Sequence, residues 1–327
     1  MEIIVTGVAG YIGAHIAAQI LESGHNVIGI DNLSTGVRDF VDPRISFHEG
    51  DVENSQFLDL VFSSIAEPSR AGVIHCAGLK FTGESVKNPI AFYEANSCSV
   101  LSLLKAMKTA NVTKLVFSSS CSVYGQIQSA TPVTENALLQ PISPYGRSKM
   151  FAELMINDSV RQGWLKAISL RYFNVVGNNK IKALDTSSFN LFPNIYRAIE
   201  SGSDLSVFGN GYETRDGTCV RDYVHVIDLA AVHLRALNKI MDGVELEFAY
   251  NLGSGIGYSV LEIINTSKLF IKKDLKYKIE MAREGDPAEI RADIHLAIRD
   301  LDWSNLRGLN EMLEDGWRAW QNNIKVP

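Results

Sequence analysis

Tyr145 and Lys149 stand four residues apart in the stretch SPYGRSK, residues 143–149. On a helix that spacing stacks the phenol and the ammonium on one face. Ser143 suits the N-cap and Pro144 the first helical position. The run FSSSCSVYG, residues 117–125, adds a third polar group, the Ser120 hydroxyl. A tyrosine, a lysine and a serine beside a nicotinamide ring suit hydride transfer from a secondary alcohol. Removing hydride from the carbon requires removing the proton from its oxygen. A free phenol ionises near pH 10, so forming the phenolate at pH 7 costs about 4 kcal/mol. The Lys149 ammonium and a cationic ring would offset much of that. Tyr145 then acts as general base and, in reverse, as general acid, while Ser120 orients the reacting hydroxyl. Plainer roles fit the same residues: Ser120 capping a strand end, Lys149 a solvated helix charge. The surrounding elements decide.

The first 175 residues alternate short apolar runs with helical patterns. Apolar runs fall at 2–5, 26–30, 45–49, 71–76, 114–120 and 166–173, with helical periodicity near 11–23, 54–65, 89–110 and 144–162. Such alternation predicts an α/β fold: a doubly wound, parallel Rossmann-type sheet covered by helices on both faces. The opening VTGVAGYIG sets Gly7, Gly10 and Gly13 between a strand and a helix. The spacing is G-x-x-G-x-x-G rather than G-x-G-x-x-G, but the physics is shared. Glycines allow close approach of backbone to a pyrophosphate, and the helix N-terminus offers free N–H groups. Asp31 ends the second strand, where a carboxylate can accept from ribose hydroxyls and would repel a 2′-phosphate, so NAD is expected over NADP. Asp51 follows the third strand and suits either the adenine amino group or a helix N-cap.

Beyond residue 175 the regularity fades. The expected division is a dinucleotide-binding domain over 1–175, with a return segment near 215–240, and a smaller mixed α/β substrate lobe over 176–327. A helix is expected to end at Gly202, a strand at DLSVFGN, and a long amphipathic segment at 224–240.

Net charge is −6, with no basic stripe, which argues against nucleic acid. The start carries Glu2 and lacks a basic n-region, and no apolar run approaches a membrane span. Cys76, Cys98, Cys121 and Cys219 show no Cys-x-x-Cys pair, so reduced thiols in a cytoplasmic protein are expected. The seven histidines form no metal motif, and no metal site is expected.

With these motifs in view, the chain resembles the extended short-chain dehydrogenase/reductases, most closely their UDP-glucose 4-epimerase branch. The likeness runs through VTGVAGYIGAH, DNLSTG, GDVEN, IHCAGLKFTGESVKNP, FSSSCSVYG, SPYGRSK, LRYFNVVG, FGNGYETRDGTCVRDYVHVIDLA, YNLGSG and REGDPAEIRAD. The resemblance implies Ser120, Tyr145 and Lys149 as a catalytic trio. It adds Tyr11, Ile12, Asn32, Val52, Ala77, Lys80, Asn96 and Tyr172, together with Tyr145 and Lys149 themselves, to the cofactor site. It assigns Lys80, Ser120, Asn174, Asn190, Leu191, Phe208, Arg221, Tyr223, Arg283 and Asp286 to the UDP-sugar. It further implies reversible 4-epimerisation of UDP-glucose and UDP-galactose through a 4-keto sugar, with retained NAD, in a homodimer paired through helices 89–110 and 144–162. The alternatives are a 4-epimerase of UDP-N-acetylhexosamines or UDP-pentoses, a dehydratase or decarboxylase, and a non-catalytic NAD-sensing protein. Nucleotide-sugar dehydratases carry Thr-Asp-Glu where this chain has Ser120-Cys121-Ser122, and a sensor need not keep the Tyr/Lys pair. The chain departs from the branch at Asn96-Ser-Cys-Ser-Val, at Val175, in a short 178–188 segment, and at Cys219. Ile290 falls near the position thought to limit N-acetyl acceptance.

Overall fold

The computed structural model describes residues 1–125, 132–271, 273–283, 286–304 and 307–324. Six parallel strands come first: β1 (Glu2–Thr6), β2 (Asn26–Asp31), β3 (Ser46–Glu49), β4 (Ala71–His75), β5 (Lys114–Ser120) and β6 (Lys166–Tyr172). Between them run α1 (Tyr11–Glu22), α2 (Ser55–Ser63), α3 (Thr82–Lys87), α4 (Pro89–Tyr93), α5 (Ser99–Thr109) and α6 (Pro144–Arg161). The helix expected over 89–110 is interrupted: Glu94–Cys98 form a π-helical turn between α4 and α5. Ser143 caps α6, its hydroxyl accepting from Gly146 N at 3.1 Å with Pro144 in the first turn, a contact worth about 1 kcal/mol.

The later elements are β7 (Asn174–Val176), α7 (Leu191–Ser201), β8 (Leu205–Phe208), β9 (Val220–His225), α8 (Val226–Met241), β10 (Ala249–Leu252), β11 (Gly257–Ser259), α9 (Val260–Ile271), β12 (Tyr277–Glu280), β13 (Glu289–Ile290), α10 (His295–Leu301) and α11 (Leu309–Ile324). The amphipathic segment expected at 224–240 begins as strand: β9 runs to His225, whose ring accepts from Ile227 N at 3.1 Å and caps α8. Strand β10 then joins the first sheet beside β6, giving the order β10-β6-β5-β4-β1-β2-β3. The return therefore reaches Leu252, while β9 itself pairs with β7, β11 and β13 in a second sheet. β8 and β12 form a separate parallel pair.

Burial follows this plan. Val5, Val116, Ile168 and Leu170 pack with Ile16, Leu229, Leu237 and Trp303 on one face of the large sheet. Ile4, Ile28, Leu115 and Phe117 pack with Leu58, Leu103, Ala152 and Ile156 on the other. A further core joins α7, α9 and α11 through Ile195, Tyr196, Ile264, Leu313 and Trp320. The carboxyl ends of β1, β4 and β5, where ligands of such sheets bind, face the glycine loop and the start of α6.

Candidate active site

The glycine loop separates what the protein needs from what a ligand needs. Gly7 has φ of 72°, and a Cβ there would lie 2.7 Å from Ala77 N. A Cβ on Gly13 would lie 2.1 Å from Gly7 O, so this glycine lets α1 close onto the loop. At Gly10 the protein is less demanding, with only Gly7 O nearby at 3.2 Å. Gly10 also occupies the N-cap of α1, which has no side-chain cap. A bare helix terminus with a side-chain-free cap is a cradle for a pyrophosphate.

Asp31 lies at the head of this groove and accepts from Ala9 N and Leu33 N, each at 2.9 Å. Burial pushes its carboxyl pKa up, and those two backbone bonds partly oppose it. Asn32 donates to Asp51 Oδ2 at 2.9 Å. Asp51 Oδ1 accepts from Glu53 N, while Asn54 caps α2, so of the two expected roles Asp51 does not take the N-cap. Val52 and Ala77 line the same groove as Gly7, Gly10 and Asp31. Tyr11 and Ile12 turn their side chains elsewhere. The Tyr11 hydroxyl donates to Gly177 O at 2.6 Å, and Ile12 packs on the core below. These groups fit a dinucleotide with free ribose hydroxyls.

The three expected catalytic side chains meet at the end of β5. Ser120, Tyr145 and Lys149 are 7%, 8% and 5% exposed. Ser120 Oγ accepts from Ser122 N and donates to Ser122 Oγ, each at 3.2 Å, and its hydroxyl lies near enough to the Tyr145 phenol to favour ionisation of that group. Lys149 Nζ donates to Ser118 O at 3.0 Å and sits 4.9 Å from the Phe117 ring centroid. Lys149 is thus no solvated helix charge. Burial lowers its pKa to about 8. Burial pushes the Tyr145 phenol up to about 12, and the Ser120 hydrogen bond only partly opposes that. The protein alone therefore holds a neutral phenol. Tyr172 borders the group from β6, and burial pushes its phenol pKa well up.

Asn96 lies in the π-helical turn and is spent on protein. It accepts from Leu79 N at 2.8 Å and donates to Leu79 O at 3.0 Å and Ser148 Oγ at 2.9 Å. It braces the 77–80 loop against α6. Lys80 is half-exposed and approaches Asp185 at 3.4 Å.

In the later part of the chain, Phe208, Arg221, Arg283 and Asp286 come together. The Arg283 guanidinium lies 4.0 Å from the Phe208 ring centroid, and Arg221 Nη2 lies 3.3 Å from Asp286 Oδ1. Arg221 Nη1 donates to Val220 O and Pro287 O, each at 2.8 Å, whereas Nη2 has no hydrogen bond among the described residues. Asn174 donates to Asp222 O at 2.8 Å, and Asn190 to Asp185 Oδ2 at 2.6 Å. Leu191 opens α7 against the core. Tyr223 is buried in that core against Phe192, ring centroids 5.3 Å apart.

Comparison with known proteins agrees with this geometry. The family model described as the NAD dependent epimerase/dehydratase family matches residues 3–253. The chain belongs to that family. A Bacillus subtilis relative named UDP-glucose 4-epimerase is 40% identical, covering 99% of this chain and 98% of its own. One from Bos taurus with the same name is 38% identical over 98% and 96%. The crystal structure of a Stenotrophomonas maltophila UDP-glucose-4-epimerase, with bound NAD and formylated UDP-arabinopyranose, superposes with a TM-score of 0.94 at 35% identity, covering 100% of both chains. That of a Bifidobacterium longum UDP-glucose 4-epimerase with NAD+ and UDP gives a TM-score of 0.87 at 34% identity, covering 99% of both. This is an NAD-dependent epimerase with a Rossmann-type sheet.

Several groups around this epimerase's site escape sequence reasoning. Glu153 and Arg171 form a buried ion pair behind the trio, and Asp185 holds Lys80 and Asn190. The step from Lys149 to Glu153 repeats the four-residue spacing of Tyr145 and Lys149 and was the one available signal. Asp185 lies in the short 178–188 segment and carries no comparable pattern.

Proposed function

We propose that the protein interconverts the C4 epimers of a UDP-hexose, UDP-glucose and UDP-galactose, through a 4-keto sugar. The observation that carries this reading is the burial of Ser120, Tyr145 and Lys149 where β5 meets α6, with Lys149 Nζ 3.7 Å from a Cβ built on Gly78 in the wall of the dinucleotide groove. When bound, NAD supplies a hydride acceptor that becomes the donor for the opposite face. Tyr145 takes the proton of the C4 hydroxyl and returns it, with Ser120 holding that oxygen. The Lys149 ammonium, held by Ser118 O, would favour the phenolate together with the cationic ring of bound NAD. Redox neutrality over one cycle favours a cofactor that stays bound.

The substrate half supports a grip on the diphosphate rather than the hexose. Arg221 and Arg283 suit the diphosphate, Phe208 the uracil face, and Asp286 the uridine ribose. Asn174 and Asn190 would exchange their protein partners for the sugar nucleotide. We assign residues 1–175 to cofactor binding and 176–327 to the substrate, with the returning segment shared. Half-exposed Leu101, Phe151 and Leu154 lie on α5 and α6, supporting a homodimer paired through these helices and the 89–98 stretch. No helix among the described residues is long and apolar enough to cross a membrane, and the four cysteines are free thiols. We read the enzyme as cytoplasmic.

The test is a panel of UDP-sugars incubated with purified protein, without added NAD, and the products resolved. UDP-glucose and UDP-galactose should interconvert. A protein that binds NAD yet turns over no UDP-sugar would sink the reading.

A further inference from the structure

Three consecutive residues at the end of β5 each hold one residue of α6. Ser118 O takes Lys149, the Ser119 hydroxyl donates to Glu153 Oε1 at 2.6 Å, and Ser120 meets Tyr145. The three helix residues, Tyr145, Lys149 and Glu153, follow at successive four-residue steps. Glu153 is held again from β6. Arg171 Nε donates to both carboxylate oxygens, at 3.0 and 3.2 Å, and Nη2 to Oε2 at 2.6 Å. Arg171 Nη1 goes on to the Tyr124 hydroxyl at 3.0 Å and Glu135 O at 3.1 Å. Glu153 and Arg171 are 2% and 5% exposed.

We infer that Glu153 is a positioning residue for the proposed reaction: it fixes the Tyr145–Lys149 face of α6 against β5 and, paired with Arg171, keeps the Lys149 ammonium charged. Apolar side chains of similar volume would brace the helix as well, since a buried ion pair is weak evidence for stability. What Glu153 supplies is a charge that cancels the buried Arg171 cation near Lys149. Lys149 acts on His75 at the end of β4, on Cys76 just after it, and on Glu153 one turn along its own helix, with Arg171 behind Glu153. Burial keeps His75 neutral, and Cys76 is held as the thiol. That leaves Glu153 as the carboxylate standing against the burial of Lys149. Replacing Glu153 alone would expose Lys149 to an unpaired, buried Arg171 cation.

The inference rests on the epimerase reading, so the wild-type assay comes first; no turnover there would sink that reading instead. In folded, NAD-containing Glu153→Gln, kcat at pH 7 should fall about 100-fold, with KM for the UDP-sugar changed less than about twofold. The alkaline limb of the kcat–pH profile should move to lower pH by about one unit. NMR titration of the labelled Lys149 ammonium should move in parallel. In Glu153→Gln/Arg171→Met both charges are gone, and the limb should return toward that of the wild type. Should Glu153→Gln not fold, the double variant and Ser119→Ala carry the test. Ser119→Ala keeps both charges and should lower kcat with the limbs unmoved. An unmoved alkaline limb in folded Glu153→Gln, or a double variant whose limb is displaced by a unit or more, would overturn the inference.

Discussion

The two ends of this active site are built differently. Around the cofactor groove the working groups are mainly backbone: the glycine loop, an uncapped helix terminus, and an Asp31 already fixed by Ala9 N and Leu33 N. In the proposed UDP-sugar site they are side chains drawn from separate segments and engaged with protein partners. Asn174 is on Asp222 O, Asn190 on Asp185, Arg221 on Val220 O and Pro287 O. The first half is shaped before its ligand arrives, whereas the second, on the proposed assignment, trades internal partners for ligand atoms. Affinity on the substrate side is therefore a difference between two sets of bonds, and single substitutions there should move KM more than kcat.

The sharpest test of that division is Tyr145→Phe, which removes one hydroxyl, the proposed proton acceptor. Its kcat should fall about 10³- to 10⁴-fold with NAD content unchanged, checked by turnover and by cofactor released on denaturation. Next comes a pair within the glycine loop. Gly13→Ala puts a methyl 2.1 Å from Gly7 O and should cost about 3 kcal/mol of stability together with bound NAD. Gly10→Ala meets only one atom, at 3.2 Å, and should keep its melting temperature while losing NAD affinity. Equal melting losses in the two would break the distinction between packing and ligand glycines.

On the substrate side, Arg221→Met should raise KM about 10- to 100-fold, with kcat within about threefold of wild type, since a charged hydrogen bond contributes about 1.5–3 kcal/mol. A collapse of kcat at unchanged KM would break the comparison from the other side. The smallest effect is read in the pH dependence of stability. His75 is held neutral by burial with a pKa of about 3, and His15 and His233 with values of about 4. Their folded values lie below the unfolded value near 6.5, so the stability they confer is full above that pH and is lost as pH falls toward 4. At pH 5.5 each should cost about 1.4 kcal/mol. Replacing His233 with Gln should flatten the acid side of a melting-temperature profile.

Much of the cofactor half was legible in the chain because its signals are local. A β-branched run, a glycine and a helix period lie within 15 residues of one another at 2–16, and SPYGRSK carries its own cap. The Ser120–Tyr145–Lys149 convergence followed from the sheet, since β5 and the start of α6 must meet at its carboxyl edge. The hidden parts depend on partners far apart in sequence. Tyr11 reaches Gly177, Lys80 reaches Asp185, and Glu153 meets Arg171. The π-helical turn at 94–98 has no composition of its own; its neighbours read as ordinary helix. Tyr223, which the resemblance assigns to the sugar site, is buried against Phe192 where β9 crosses the core of α7, α9 and α11, a placement that depends on tertiary packing. The REGDPAEIRAD motif is described here except at 284–285, and its Arg283 and Asp286 do reach the Phe208 and Arg221 region.

The late arrival of β10 has a consequence for how the chain is made. Until Leu252 emerges from the ribosome, β6 is an open sheet edge, and the helix that covers its face, α8, is itself only complete at Met241. At about 5–20 residues per second the interval from Tyr172 to Leu252 lasts some seconds. During it the nascent chain carries a ready template for pairing with another chain. A ribosome stalled between those two residues should therefore present a sheet that aggregates or recruits a chaperone. Release after Leu252 should not.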